Sequence, residues 1–402
     1  DQFGVSAAVL LTFLLGIGLG TLYAHRWQRW LWLVEFGIGA CGVAFAFLFD
    51  PLGDLLYGTL NVDVTGLGPA MLLSSILLFA PTLLIGATLP LFAGYLNRAT
   101  GKPMFSSTYL VYNFGAAITA IAIEYWLVRH LGLKMATLII ANLNFIVCAG
   151  IFFCFPDLWQ KAPSPTKSKP RPWPARRLMI ALAVASIASA IFQLTMIKIA
   201  EAFLGPFRET FALVLTVTLL GIAAGSVLVQ KWRPSLASVI WFALAGLAWL
   251  FFRQESLLQD YAAAYPEASK TALGMLYLKL TTLAWLMGPA AIGFGATIPA
   301  LLTDESAVSQ DSGRLLCVSS FANAGGFLLM AFVLHERFEY GQIVSICAGL
   351  TVGAAMLAHG LNWRLLLPPL AAAGIFYGPL KHWDEPLLYL GYTKFHAEAK
   401  LK

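Results

Sequence analysis

Apolar runs of about twenty residues recur along this 402-residue chain, and they restrict its fold more than any other feature. A helix of that length can cross a hydrocarbon core roughly 30 Å thick. Within lipid the backbone must satisfy its own hydrogen bonds, so spanning segments are helices or closed barrels. The runs are too long and continuous for the alternating strands of a barrel. The sequence therefore predicts an all-α, polytopic membrane bundle.

The composition agrees with a membrane protein. Hydrophobic residues make up 59% of the chain and charged residues 11%. The net charge of +6 lies mainly in loops, as in the cytoplasmic loops of membrane proteins, so it predicts no nucleic-acid partner. All five cysteines lie within apolar runs without metal-ligand spacing. We therefore predict no metal, no cofactor and no catalytic residue in this chain.

An internal repeat narrows the architecture. Gly86-Ala-Thr-Leu-Pro90 returns as Gly295-Ala-Thr-Ile-Pro299, each within a long apolar run. Two further motif pairs have offsets within 205 to 210 residues: Leu14–Gly20 with Leu219–Gly225, and Asn113–Gly115 with Asn323–Gly325. The ordered matches predict a duplicated helical bundle, whose halves are related in an inverted or a parallel sense. Gly86 and Gly295 are expected at close helix contacts, and Pro90 and Pro299 at kinks.

The apolar runs define eleven crossings. Five are in the first half: Val5–Ala24, Leu31–Leu48, Pro69–Leu96, Thr108–Leu127 and Met135–Phe155. Six are in the second half: Ile180–Ala200, Phe211–Val229, Ala237–Phe252, Leu276–Leu302, Leu315–Leu334 and Ile343–Ala358. The crossing at 180–200 has no counterpart in the first half. The repeat thus implies another helix before residue 1 and about twelve transmembrane helices.

Four segments follow from this arrangement. Residues 1–155 form the first half, 156–177 a linker, 178–360 the second half, and 361–402 an extra apolar segment with an amphipathic tail. The linker contains six prolines, six Lys or Arg and one acid, which is typical of an extended, solvated segment. By the positive-inside rule the linker is cytoplasmic, and the membrane is the cell's inner, or plasma, membrane.

Several motifs resemble one group of membrane proteins. They are FLLGIGLGT at 13–21, LVEFGIG at 33–39, GATLP at 86–90, YNFG at 112–115 and HLGL at 130–133. Together they resemble spermidine-synthase-like membrane proteins, in which a major-facilitator-like bundle precedes a soluble aminopropyltransferase domain. The segment Trp383–Gly391 resembles the junction with that domain. The resemblance implies a six-plus-six major-facilitator-like fold and a role in polyamine chemistry.

The chain also departs from these patterns. Aminopropyl transfer needs a Gly-rich nucleotide-binding loop and catalytic acids, and none follows residue 381. The Gly16-x-Gly18-x-Gly20 pattern lies inside an apolar helix, so it predicts close helix packing and not dinucleotide binding. His25 stands where the major-facilitator loop commonly has an aspartate.

Ionisable side chains within crossings are the strongest functional candidates, because each costs roughly 2.5–3.5 kcal/mol on insertion scales unless it is paired. Glu124 lies deep in the fourth crossing, and the aromatic residues that follow it suit a cation. Glu35 lies about one turn into the second crossing. Candidate substrate-binding residues are therefore Glu35, Glu124, Tyr112, Asn113 and Tyr125.

Each candidate also has a structural interpretation. Glu35 could pair with Arg26 or Arg29, and Glu124 with Arg129 or with another helix. Asn113 could bond between helices. Two other charged positions predict local contacts, since Lys198 and Glu201 are spaced to pair with each other and Lys279 is placed to snorkel from a helix start.

Three functions remain open. The chain is the non-catalytic membrane domain of a spermidine-synthase-like protein that handles or anchors polyamine chemistry, a major-facilitator-like transporter of a small solute, or a structural subunit of a larger membrane complex. The corresponding partners are the lipid bilayer with an aminopropyltransferase domain, or with other subunits of a complex.

Overall fold

A computed structural model describes residues 2–55, 67–156, 175–302 and 308–360 of the chain. Every regular element in these ranges is helical, which confirms the all-α prediction. Most of the predicted linker at 156–177 and the whole segment 361–402 lie outside the described residues.

Eleven long helices occur within the described ranges. The first five are α1 Gln2–Tyr23, α2 Leu31–Gly53, α3 Leu67–Thr100, α4 Phe105–Ala122 and α5 Val128–Ala149. The others are α6 Arg176–Leu204, α7 Arg208–Trp232, α8 Leu236–Ala268, α9 Ala272–Gly295, α10 Val308–Leu329 and α11 Tyr340–His359. Each of the eleven predicted crossings overlaps one of them.

The helices have the length and composition of membrane spans. Ten stretches of the described chain are long and apolar enough to cross a membrane, and one of them, Phe105–Cys154, has 50 residues. Fifty helical residues would extend about 75 Å, far more than one crossing needs. Gly132, near the start of α5, interrupts this stretch with φ 76° and ψ 168°, a conformation that glycine adopts readily. The chain is a multi-pass helical membrane protein, with α4 and α5 as separate helices.

Helix α8 is longer than the sequence analysis predicted. The predicted crossing Ala237–Phe252 becomes a helix of 33 residues, about 50 Å long. The polar residues after Phe252 are typical of the end of a crossing. The helix continues because buried side chains keep helical spacing beyond that point, at Leu250, Gln254, Leu258 and Tyr261.

The chain divides into two compact units. One contains Asp1–Tyr109, Tyr125–Met179 and Leu302–Ala331, and the other contains Leu110–Glu124, Ile180–Leu301 and Phe332–Lys402. The first unit therefore contains α1, α2, α3, α5 and α10. The second contains α6 to α9, α11 and most of α4. The units differ from the sequence halves because α4 and α10 each group with helices from the other half.

Glycines bring α1 and α3 into backbone contact in the first unit. A Cβ atom on Gly86 would lie 2.3 Å from the carbonyl oxygen of Ile17, and one on Gly20 would lie 1.9 Å from the carbonyl oxygen of Leu83. Real Cβ atoms do not approach other atoms so closely. The two helices can pack at this distance only because these side chains are hydrogen atoms.

The same arrangement joins α7 and α9 in the second unit. A Cβ on Gly295 would lie 2.4 Å from the Cα of Ile222, and one on Gly225 would lie 2.5 Å from the carbonyl oxygen of Ile292. These four residues are offset from their first-unit equivalents by 205 positions on α7 and 209 on α9. The repeated motifs thus make equivalent contacts in both units.

Adding a methyl group at these contacts should destabilise the protein. We expect Gly86→Ala and Gly295→Ala each to cost about 1–3 kcal/mol, because the backbone of the facing helix must move. The matched controls are Gly115→Ala and Gly325→Ala, where a Cβ would meet nothing within 4 Å. These should be neutral or stabilising by up to about 1 kcal/mol. Thermal unfolding in detergent measures all four, and equal melting temperatures would contradict the packing argument.

Candidate functional site

Glu124 forms an ion pair with the first residue of α7. It lies in the π turn Ile123–Leu127 that follows α4, a type of turn that often occurs at functional sites. The Nε of Arg208 donates to its carboxylate, with distances of 2.9 Å to Oε2 and 3.0 Å to Oε1. The Glu124 side chain is 10% exposed and that of Arg208 is 62% exposed. A nearly buried carboxylate is therefore paired with a guanidinium that is largely exposed at the surface of the protein.

The partner of Glu124 comes from another helix and not from Arg129. The guanidinium of Arg129 instead lies over the ring of Tyr125, 4.9 Å from its centroid. Tyr125 thus already contacts a cation of its own chain. Helix α4 itself ends at Ala122, two residues before Glu124, and the break at Gly132 lies eight residues after Glu124.

The next residue of α7 forms a more buried ion pair. Lys279 of α9 donates to Glu209, and their side chains are only 12% and 18% exposed. The expectation that Lys279 snorkels is therefore wrong, because an acid on the neighbouring helix satisfies its charge within the bundle. The predicted local pair of Lys198 with Glu201 is confirmed, with an N–O distance of 2.9 Å.

The extension of α8 adds polar and aromatic groups to the second unit. The ring of Tyr261 packs edge-on against Phe203 of α6, with centroids 5.5 Å apart. Gln254 is 4% exposed, and its Oε1 accepts no hydrogen bond from the described part of the chain. Both residues lie beyond Phe252, where the predicted crossing ends, so they were not among the candidates. The spacing of Leu250, Gln254 and Leu258 by four residues was the signal that could have found them.

Tyr112 and Asn113 do not lie near Glu124. They lie on α4 twelve and eleven residues before it, respectively, which corresponds to about 17 Å along a helix. Asn113 is buried, with 5% of its surface exposed, whereas Tyr112 is 40% exposed. The structure therefore does not assemble a site from Tyr112, Asn113 and Glu124 together.

Glu35 belongs to the first unit and is buried in α2, with 5% of its surface exposed. No hydrogen bond or ion pair joins its carboxylate to a residue within the described ranges. The expected partners do not reach it, and the guanidinium of Arg26 lies over the ring of Tyr23, 5.3 Å from its centroid. At the end of α1, the Nδ1 of His25 lies 3.0 Å from the carbonyl oxygen of Leu22.

The described residues provide no metal centre, and comparison with protein-family models and curated proteins gives no match. Across the described ranges, no group of three or more His, Cys, Asp or Glu side chains could hold a metal ion. No protein-family model matches the chain, and no curated protein matches it either. The resemblance to spermidine-synthase-like membrane proteins therefore rests on the sequence motifs.

The two ion pairs at the start of α7 should contribute differently to stability. We expect Glu209→Gln to lower the free energy of unfolding by about 1–3 kcal/mol, because it leaves the buried ammonium of Lys279 without its acid. Glu124→Gln should cost less than about 1 kcal/mol, because water can solvate the exposed guanidinium of Arg208. Thermal unfolding of the two variants under one set of conditions tests this order, and a larger loss for Glu124→Gln would contradict it.

Proposed function

We propose that this chain is a major-facilitator-like membrane bundle that binds a small organic cation at Glu124. The observation that carries the proposal is the ion pair of this nearly buried acid with the exposed Arg208. The polyamine class fits the site, because a primary ammonium can donate three hydrogen bonds to a carboxylate. It also agrees with the spermidine-synthase-like motifs.

The exposure of Arg208 makes exchange of the cation energetically accessible. Ion pairs in which one partner is solvated contribute only about 0–1 kcal/mol, so a soluble cation does not have to overcome a strong contact. The guanidinium of Arg208 therefore competes with the ligand cation for the carboxylate of Glu124. A ligand that binds Glu124 more favourably than Arg208 does then shifts the population toward the state in which the Glu124–Arg208 pair is broken.

The packing of the helices supports a duplicated scaffold. In the first unit α1 packs on α3, and α2 packs on α3 and α5. In the second unit α7 packs on α9, and α8 packs on α9 and α11. Each pair in one set is the counterpart of a pair in the other under the sequence repeat. The equivalent glycine contacts support the same plan.

In this proposal the bundle lies in the plasma membrane with the linker at 156–177 on the cytoplasmic side. Helix α4 follows a basic loop at 97–102, so its far end and Glu124 face the external side. An amine bound there would be taken from outside the cell. The same bundle could supply amines to an aminopropyltransferase domain, joined to it or associated with it.

Amine binding tests the proposal directly. We expect the purified chain in detergent to bind spermidine, and Glu124→Gln to weaken binding at least tenfold, because the amide lacks the charge. Tenfold corresponds to about 1.4 kcal/mol, a modest value for a charge-assisted contact. Arg208→Gln should strengthen binding, because it removes the competing cation. Isothermal titration calorimetry measures all three affinities.

A matched control separates the site from general surface charge. Glu201→Gln removes another acid of the same unit, one that pairs within its own helix, and should leave the affinity unchanged. Equal weakening by Glu201→Gln and Glu124→Gln would indicate non-specific attraction. A bundle that serves only as a structural subunit would bind no spermidine at all, and that result would refute the proposal.

A further inference from the structure

Glu35 lies in the interface between α2 and α5, flanked by aromatic contacts on both sides. The rings of Trp32 and Phe152 meet edge-on with centroids 5.3 Å apart, and those of Phe36 and Phe145 lie 5.4 Å apart. These pairs come from the turns of α2 immediately before and after Glu35. The acid is therefore enclosed in an apolar and aromatic interface.

Within the described ranges, no positively charged side chain pairs with Glu35. On α5, the thiol of Cys148 lies close enough to interact electrostatically with Glu35 and contacts the backbone of Phe36. On α3, Tyr95 packs against the apolar cluster that contains Val34. The nearest cation on that helix, Arg98, donates to Gln28 at 3.1 Å and not to Glu35. On α2 itself the other titratable groups are Cys41 and Asp50, and neither can carry a positive charge.

Such surroundings accommodate an acid only in its neutral form. An isolated ionised carboxylate in a low-dielectric interior costs several kcal/mol even after relaxation, whereas a neutral carboxyl costs much less. Ionisation of Glu35 therefore needs water or a cation to enter the interface between α2 and α5.

The duplicated scaffold does not require an acid at this position. A Cβ on Gly37 would lie 2.8 Å from a side-chain carbon of Leu84, and one on Gly293 would lie 2.4 Å from the backbone nitrogen of Ala243. These contacts match at offsets of 206 and 209, which places Trp241 at the position of Glu35. Helix α8 of the second half thus has the indole of Trp241 where α2 has the carboxyl of Glu35. The acid therefore has a role other than packing.

We propose that Glu35 is a proton-exchange site of the first unit, separate from the cation site at Glu124. With α2 and α5 packed together, the carboxyl keeps its proton. When they part and water enters, the O–H bond breaks, the proton passes to water and the carboxylate is solvated; closure reverses both steps. The change in packing of this interface is thereby linked to the uptake and release of one proton.

Labelling with dicyclohexylcarbodiimide tests the proposal on the unmodified chain in membranes. This apolar reagent adds to protonated carboxyl groups in apolar surroundings, and mass spectrometry of the digest identifies the labelled peptide. We expect label on Glu35 that falls as the pH is raised, and no label on the same peptide of Glu35→Gln. Glu124→Gln should retain the label, so the result does not depend on amine binding.

Two outcomes would overturn the proposal. No label on Glu35 at any pH would mean that the carboxyl is ionised or that the interface does not open. Label that does not change with pH would mean that the acid never releases its proton. Both are read from the wild-type chain, so they stand even where Glu35→Gln folds poorly.

An independent spectroscopic measurement completes the test. Infrared spectra should show the carbonyl band of a protonated, apolar carboxylic acid that disappears in Glu35→Gln. Glu35→Leu should melt no lower than wild type, because an apolar side chain suits this interface at least as well as an acid. A missing carbonyl band, or a large fall in melting temperature for Glu35→Leu, would show that Glu35 is a structural residue instead.

Discussion

Close backbone contact at paired glycines is the interaction on which the rest of this structure depends. Lipid chains are as apolar as the side chains they surround, so helices in a bilayer gain little from apolar burial and depend on tight packing. Gly86 against Ile17 and Gly295 against Ile222 provide that packing in the two units. They fix the depth of each helix relative to its partner, and this register then sets where every other side chain lies.

This dependence explains which features the sequence could predict. Contacts made by short repeated motifs are visible in the chain, so the glycine contacts, the helical crossings and the separation of α4 from α5 could be anticipated. The pair of Lys198 with Glu201 could also be anticipated, because helical spacing alone brings them together. These are local features or features that occur twice.

Contacts between distant segments that occur once could not be predicted. The ion pair of Glu124 joins residues 84 positions apart, and that of Glu209 with Lys279 joins residues 70 apart. Arg208 and Glu209 are neighbours, yet they bind different helices, because consecutive residues point about 100° apart around a helix. No sequence pattern within α7 indicates which neighbouring helix lies on which side of α7. The length of α8 is a different case, because the spacing of Leu250, Gln254 and Leu258 within the helix indicates that it continues beyond Phe252.

Two acids of the first half have apolar residues at the positions that the sequence repeat assigns to them in the second half. In the duplicated scaffold proposed above, both copies must fold with the residues they have, so a position that is apolar in one copy does not need an acid for packing. At the two positions of interest the second half has apolar residues, Trp241 in place of Glu35 and Leu334 in place of Glu124. Leu334 is buried in its own π turn, so an apolar side chain fits there. The acids therefore add a cost of burial that the fold does not need, which favours binding of a solute or a proton over a purely structural role.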